Sequence, residues 1–338
     1  MRLFKYVGVD RIDILTNGLI RFTQPSAWND PFETQPNYID HRGKNPFQML
    51  FKLSEMVRRA KENGENPTEE EIEEYERERT RITKSDINSY INRNIVGLSL
   101  TEDNNNLLMW THYASNHSGF VIEFDTENDF FQSTNNYLFK VMCDNERPSV
   151  NTYDFASIII DLVELLKKNE TISHESYETI SHTFRKSLDW LYEKEWRLIT
   201  TNDKAHNFNK IKKELNVIQI GDIELENQYV ALFSLPTSCI KAIYCGKRMK
   251  LDKIRELFFL TKYNTRFSHI KLMRAEIDDK FYKMTYRDVT DMQVLKVAEL
   301  QYEKKSHTKK LMCKFNPYYQ RYENEKKRYK KIKPIGAK

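Results

Sequence analysis

Glycine is scarce in this chain: nine residues among 338. Neither GxGxxG nor GxxxxGK followed by Ser or Thr occurs, which argues against a nucleotide fold built on glycine-rich turns. Cysteine is scarcer still. Cys143, Cys239, Cys245 and Cys313 are scattered, with no CxxC pair, so a zinc knuckle is not indicated and the thiols read as small core or surface residues of a reducing compartment. No apolar run reaches the roughly 18 residues that a membrane span needs. The opening residues, MRLFKYVGVDRID, lack the apolar core of a signal peptide. These absences set the expectation of a soluble cytoplasmic protein with no membrane partner.

What is present is globular material. Apolar residues make up 39% of the chain, including 19 Phe and 19 Tyr, enough for a large core and one or two domains. The net charge of +5 is unevenly placed. Residues 301–338 hold 13 Lys/Arg against 3 Asp/Glu, a net of +10. The rest holds 41 against 46, a net of −5. The chain thus divides into a mildly acidic body and a strongly basic end.

Periodicity supplies the elements. LFKYV (3–7) reads as a strand, and VDRIDILTNG as a short helix closed by Asn17-Gly18. LIRFT is then a strand ended by Pro25. SAWNDPFE (26–33) is a loop with turn chemistry at Asn29-Asp30-Pro31. Phe47, Leu50, Phe51 and Val57 recur at helical spacing. Thr68 and Glu71 form a capping box before a charged helix running on through Ile91, whose charges read as a solvated face. Strands are expected at 95–103, 118–125, 137–143, 217–221, 229–235 and 239–246, with one more entered from YEKEWRLITT. Helices are expected at 153–168, at about 173–192 and over LDKIRELFFLTKY. HIKLMRAEID and KFYKMTYRDV read as a hairpin turning at Asp278-Asp279. The sum is a single α+β domain over 1–300 with a mainly antiparallel sheet, helical insertions near 47–92 and 153–192, and a basic aromatic tail over 301–338.

Three stretches gather polar and aromatic side chains at strand edges, where a rigid sheet usually presents functional groups. The first runs from Arg21 to Glu33 and contains Asn29 and Asp30. The second, NNLLMWTHYASNHSGFVIEF, packs Trp110, His112, Tyr113 and His117 before a strand. The third, WLYEKEWRLI, carries Glu193, Glu195 and Arg197. Strand alternation puts Glu195, Arg197 and Ile199 on one face and Trp196 and Leu198 on the other. The first face would look onto a groove or solvent, where a strand ion pair contributes little. His112 and His117 are five apart, unlike a helical metal pair, and read as hydrogen-bonded structural histidines unless they meet a ligand. Trp110 reads as core filling at a pocket rim. His112, Tyr113 and His117 are the better candidates for facing a ligand.

PSAWNDPFE, LSLTEDNNNLLMWTHYASNHSGFVIEFD, YEKEWRLI and IKAIYCGKRM occur in this order. Together they resemble the bacterial domain-of-unknown-function family two-nine-seven-one over roughly residues 3–290. The resemblance implies that the three stretches belong to one domain, in a family with some members that look like bacterial or phage defence genes. LFKYVGVDRIDILTNGLIRFTQP is also similar in layout to the start of DarT-like ADP-ribosyltransferases. That second likeness implies a split sheet that holds NAD as substrate. In it Glu195 assists transfer at the ribose, Tyr113 or Trp110 stacks on nicotinamide, and Arg21 or Lys5 holds phosphate. Breaking the nicotinamide–ribose bond develops positive charge on the sugar, which a nearby carboxylate stabilises. The candidate set is therefore Glu195, Tyr113 and His112 for chemistry, and Lys5, Arg21, Asn29, Asp30, Trp110, His117 and Arg197 for NAD.

Two further classes stay open. A recognition module for RNA or DNA would use residues 301–338, where Tyr318, Tyr319, Tyr322 and Tyr329 interleave with cations that suit phosphate and rings that suit bases. Its alternative is a solvated tail. A nuclease would hold magnesium with Asp30, Glu33, Glu193 and Glu195, although no nuclease motif accompanies them. No other metal is expected.

Overall fold

The structure, a computed structural model, describes residues 1–39, 46–64, 66–72, 83–133, 136–170, 184–217, 229–290, 324–325 and 327–330. Residues 73–82 of the expected charged helix, 173–183 of the helix expected at about 173–192, all but Val217 of the strand expected at 217–221, and most of the basic tail with Tyr318, Tyr319 and Tyr322 lie outside these residues.

Fourteen strands are described: β1 (Arg2–Val7), β2 (Leu19–Phe22), β3 (Asn37–Tyr38), β4 (Ile95–Thr101), β5 (Phe120–Asp125), β6 (Tyr137–Lys140), β7 (Cys143–Asp144), β8 (Ser149–Val150), β9 (Lys186–Ser187), β10 (Glu195–Thr201), β11 (Ala231–Ser234), β12 (Ile240–Cys245), β13 (Lys271–Ile277) and β14 (Met284–Asp288). Eight of them form one sheet in the order β14-β13-β12-β5-β1-β4-β10-β6. Every neighbouring pair is antiparallel except β12 and β13, which are joined through the helix Leu251–Tyr263. With its helices this is the expected α+β fold.

Alternation along the strands sorts the sheet into two buried faces. On one face Leu3, Val96, Leu98, Leu100, Phe120, Ile122, Phe124 and Leu198 join the largest core, under the helix Leu251–Tyr263 and the β2–β11 pair. On the other face two smaller cores lie apart. Ile95, Phe139 and Ile199 pack on the helices Lys84–Asn94 and Thr152–Lys168. Phe4, Tyr6 and Val121 pack on Met109 and Trp110. Between these two cores β4 presents only Gly97, Ser99 and Thr101, opposite Ile199, Arg197 and Glu195 of β10. This strip of small residues makes room for a charged cluster.

Local signals held well. Gly18 closes the short helix Asp13–Asn17 in the left-handed conformation, with φ of 67°. The capping box at Thr68 forms: the Glu71 carboxylate accepts from the Thr68 N–H at 2.9 Å, and the Thr68 hydroxyl accepts from the Glu71 N–H at 3.2 Å. The hairpin β13–β14 turns where expected.

Long-range packing corrected other expectations. The charged helix does not run unbroken into Ile91. Thr83 starts a new helix, Lys84–Asn94, with its own capping box to Asp86. Val57 is exposed, and its neighbour Met56 takes the buried position. Residues 184–192 are not helix ends but the short strand β9 and a 3-10 turn, Leu188–Glu193. The strand expected at 137–143 is two short strands. Val217 ends a helix, Phe208–Val217, rather than opening a strand. Tyr329 is buried in the main core with its ring stacked on Phe259 at 6.0 Å, so it is not free to stack on bases. Among the described residues no helix is long and apolar enough to cross a membrane.

Candidate functional site

The third stretch delivers two carboxylates to one place. Lys194 caps the Leu188–Glu193 turn in a left-handed conformation, with φ of 44°. That bend brings Glu193 and Glu195 to the same ammonium, Lys186. Lys186 Nζ lies 2.7 Å from Glu193, 2.6 Å from Glu195 and 3.1 Å from Glu33. Arg197, two residues along β10, donates through Nη2 to Glu195 at 2.6 Å and to Glu33 at 3.0 Å. All five side chains are buried. The expectation that Glu195 and Arg197 face a groove or solvent is therefore corrected. The second face of the sheet is covered there, and the pair belongs to an interior network.

The loop Trp28–Glu33 is the cover. The Arg197 guanidinium lies over the Trp28 ring, 3.7 Å from ring centre to Cζ, and the indole N–H donates to the Thr23 carbonyl at 3.1 Å. Gly97 is needed beneath it, because a Cβ there would sit 2.9 Å from Trp28 Cζ2. The Asp30 carboxylate accepts the Phe32 N–H at 2.9 Å, an Asx turn that Pro31 favours. The Tyr113 hydroxyl donates to Glu193 at 2.5 Å and accepts from the Asn29 amide, tying the loop to the second stretch.

Charge in this interior is nearly compensated, three carboxylates against two cations. Burial pushes Glu195 upward, but Arg197 and Lys186 overcome it and hold the carboxyl at about 2. Glu33 moves the other way: burial raises it despite Arg197 and Lys186. Burial and the bond to Glu193 raise Tyr113, which therefore stays a donor. Lys5 donates to the Ser99 carbonyl at 3.1 Å. Burial lowers it to about 8, with Glu195 opposing and Arg11 and Arg21 adding to the shift.

A cleft of about 750 Å³ opens on the far side of the same loop, a size that suits a small-molecule ligand. Trp28, Asn29, Asp30 and Glu33 form one wall, and the helix Lys84–Asn94 forms the other. Tyr229 closes one end: its N–H donates to Gln24 at 3.2 Å and its hydroxyl to the Asn92 carbonyl at 3.0 Å. Four buried polar atoms on cleft-lining residues have no hydrogen-bond partner: Asp30 Oδ2, Glu33 Oε2, Asn88 Oδ1 and Arg93 Nε. Buried polar groups are rarely left unpaired, so these atoms set the polar lining of the cleft apart from an ordinary core.

The expected residues divide. Glu195, Arg197, Tyr113, Asn29 and Asp30 come together around the loop. Lys5 interacts electrostatically with Glu195, and Arg21 with Lys5, but neither lines the cleft. Trp110 is fully buried, with Tyr6 against it, His117 stacked at 6.1 Å and its N–H bonded to the Asn104 carbonyl at 3.0 Å. It has no face to offer nicotinamide. His117 belongs to that same corner, and His112 is exposed beside it. The corner is structural: Ser115, Asn116 and His117 form a left-handed turn, and a Cβ at Gly119 would lie 2.1 Å from the Val7 carbonyl oxygen. Lys186 and Trp28 were not singled out by the sequence. Lys186 carries no local signal, and Trp28 differs from any loop aromatic only in its neighbours. Of the four carboxylates considered for magnesium, Glu33, Glu193 and Glu195 meet cations instead and Asp30 accepts the Phe32 N–H, and among the described residues no group of three or more His, Cys, Asp or Glu is arranged to hold a metal ion.

The cluster coincides with a known sequence signature. Residues 109–198 match the model of the family described as protein of unknown function (DUF2971). The resemblance read from the motifs is thus supported over that stretch. The DUF2971 segment contains Tyr113, Lys186, Glu193, Glu195 and Arg197, and leaves Asp30 and Glu33 to the N-terminal loop. No curated protein and no solved structure matches the chain, so the DarT-like layout has no support beyond the motifs.

Proposed function

We propose that this protein cleaves or transfers at the N-glycosidic bond of a ribosyl ligand bound in the loop–helix cleft, with NAD the first ligand to test. One observation carries the reading: two buried acidic residues, Asp30 and Glu33, line the cleft, and each has one carboxyl oxygen without a partner. Such oxygens suit ribose hydroxyls. They also suit the positive charge that develops on the sugar as the base departs with the bonding electron pair. The Asp30 oxygen can take the proton of an attacking water or acceptor hydroxyl. Glu33, raised by burial, can hold a proton beside the ribose. Glu195, outside the cleft lining, serves as a positioning residue: with Lys186 and Arg197 it fixes the Glu33 carboxyl through Oε1.

The test is nicotinamide release from NAD by the full chain, with and without RNA or DNA, alongside Asp30→Asn and Glu33→Gln. Both variants are expected to retain the fold and lose at least about a hundredfold in rate. A folded wild type that releases no nicotinamide, or variants as active as wild type, refutes the reading.

A further inference from the structure

The cleft sorts its charges by wall. Asp30 and Glu33 line it from the loop, and Lys84 and Arg93 line it from the helix Lys84–Asn94, while its other lining residues are uncharged. Opposite charges in one cleft attract, yet among the described residues no ion pair crosses it. Glu33 turns to Lys186 and Arg197 instead. Lys84 and Arg93 make no ion pair with any described residue. Asp86, the carboxylate nearest Lys84 along the helix, serves its own cap. It accepts the Thr83 N–H at 3.2 Å and the Thr83 hydroxyl at 2.6 Å, and residues two apart on a helix do not face each other.

The two cations sit in different settings. They stand near opposite ends of the helix, about 13 Å apart along its axis, so one phosphate cannot meet both. Arg93 lies at the end closed by Tyr229, whose hydroxyl donates to the Asn92 carbonyl at 3.0 Å, and the Arg93 carbonyl accepts from the Asn202 amide. Lys84 and Ser85, at the other end, are exposed, and no hydrogen bond to a described residue engages either side chain. The loop carboxylates repel an anion, so the charges alone assign one to the helix wall. We infer that Lys84, with the Ser85 hydroxyl as a further donor, holds the 5′-phosphate of a ribosyl ligand whose sugar lies against the loop. An ammonium binds phosphate as a point charge with rotatable donors. The cleft therefore selects nucleotides over free nucleosides. This inference rests on the proposed ribosyl ligand but concerns binding, not bond cleavage.

Calorimetric binding to the full chain separates the two. Matched probes are nicotinamide mononucleotide against nicotinamide riboside, and adenosine 5′-monophosphate against adenosine, each pair differing by one phosphate. The phosphorylated member of at least one pair should bind about tenfold tighter or more, the size of one hydrogen bond between charged groups. The margin should narrow as salt is added. Lys84→Gln should abolish it and leave the riboside affinity and the thermal midpoint near wild type, because Lys84 is exposed. Absence of binding by all four probes, equal binding within both pairs, or a margin unchanged in Lys84→Gln overturns the inference. If the Lys84-dependent margin is found without nicotinamide release from NAD, the glycosidic reading fails and the phosphate subsite stands. If nicotinamide is released and Lys84→Gln leaves KM for NAD unchanged, the glycosidic reading stands and the subsite falls.

Discussion

Replacing Glu195 by Gln should destabilise the fold by an amount that two independent routes agree on. Glu195 is the carboxylate shared by Lys186 at 2.6 Å and by Arg197 at 2.6 Å, and its side chain is 4% exposed. Removing the carboxylate that both cations share breaks two buried ion pairs, at a cost of about 3–5 kcal/mol. Linkage gives a similar size. Glu195 titrates at about 2 in the fold instead of 4.5, and 2.5 units at 1.36 kcal/mol each is about 3 kcal/mol. The sign follows from which state binds the proton first. The unfolded chain protonates at the higher pH, so acid favours unfolding. The stabilisation is complete above about pH 5 and is lost as pH falls toward 2. At about 1.4 °C per kcal/mol for a chain of this size, the midpoint should fall by about 4–7 °C at pH 7. The assay is thermal unfolding by circular dichroism from pH 7 to pH 3. The wild type should lose its advantage over Glu195→Gln as pH drops. A variant within about 2 °C of wild type at pH 7, or an advantage unchanged at pH 3, would refute the reasoning that this network holds the loop to the sheet.

Gly97→Ala should cost about 1–3 kcal/mol, since the new methyl would stand 2.9 Å from Trp28 Cζ2 and 3.4 Å from Arg197 Cδ. A lowered midpoint with a shifted tryptophan emission would show the ring leaving Arg197, and an unchanged spectrum would contradict it. Tyr329→Ala should cost about 3 kcal/mol by removing a buried ring stacked on Phe259. The chain near Tyr329 should then become readily cleaved in limited proteolysis, whereas wild-type resistance in the variant would show that this ring does not anchor it.

Much of the fold was legible because its signals are local. Backbone dihedrals set the periods of 2 and 3.6, so β1, β4, β5, β10 and the helix Thr152–Lys168 stand close to where alternation and helical spacing put them. Caps act within one turn, so Thr68 and Gly18 read correctly. The shared face of Glu195 and Arg197 was equally plain from the sequence. It did not follow that this face is covered. Arg197 and Glu33 are 164 residues apart, and no spacing links them.

By itself, then, the sequence determined the element types, the α+β class, the absence of a glycine-rich phosphate loop and the pairing of Glu195 with Arg197 on one side of a strand. Only the tertiary structure decided that the side is an interior, that Lys186 closes the network, that Trp110 lies wholly inside the core and off any pocket rim, and that Asp30, Glu33 and Asn88 line one cleft. The physical reason is range. Strand and helix periodicity fix which side chains share a face, but what a face meets depends on elements brought to it from distant parts of the chain. Burial, charge compensation and unpaired polar atoms exist only once those elements have packed.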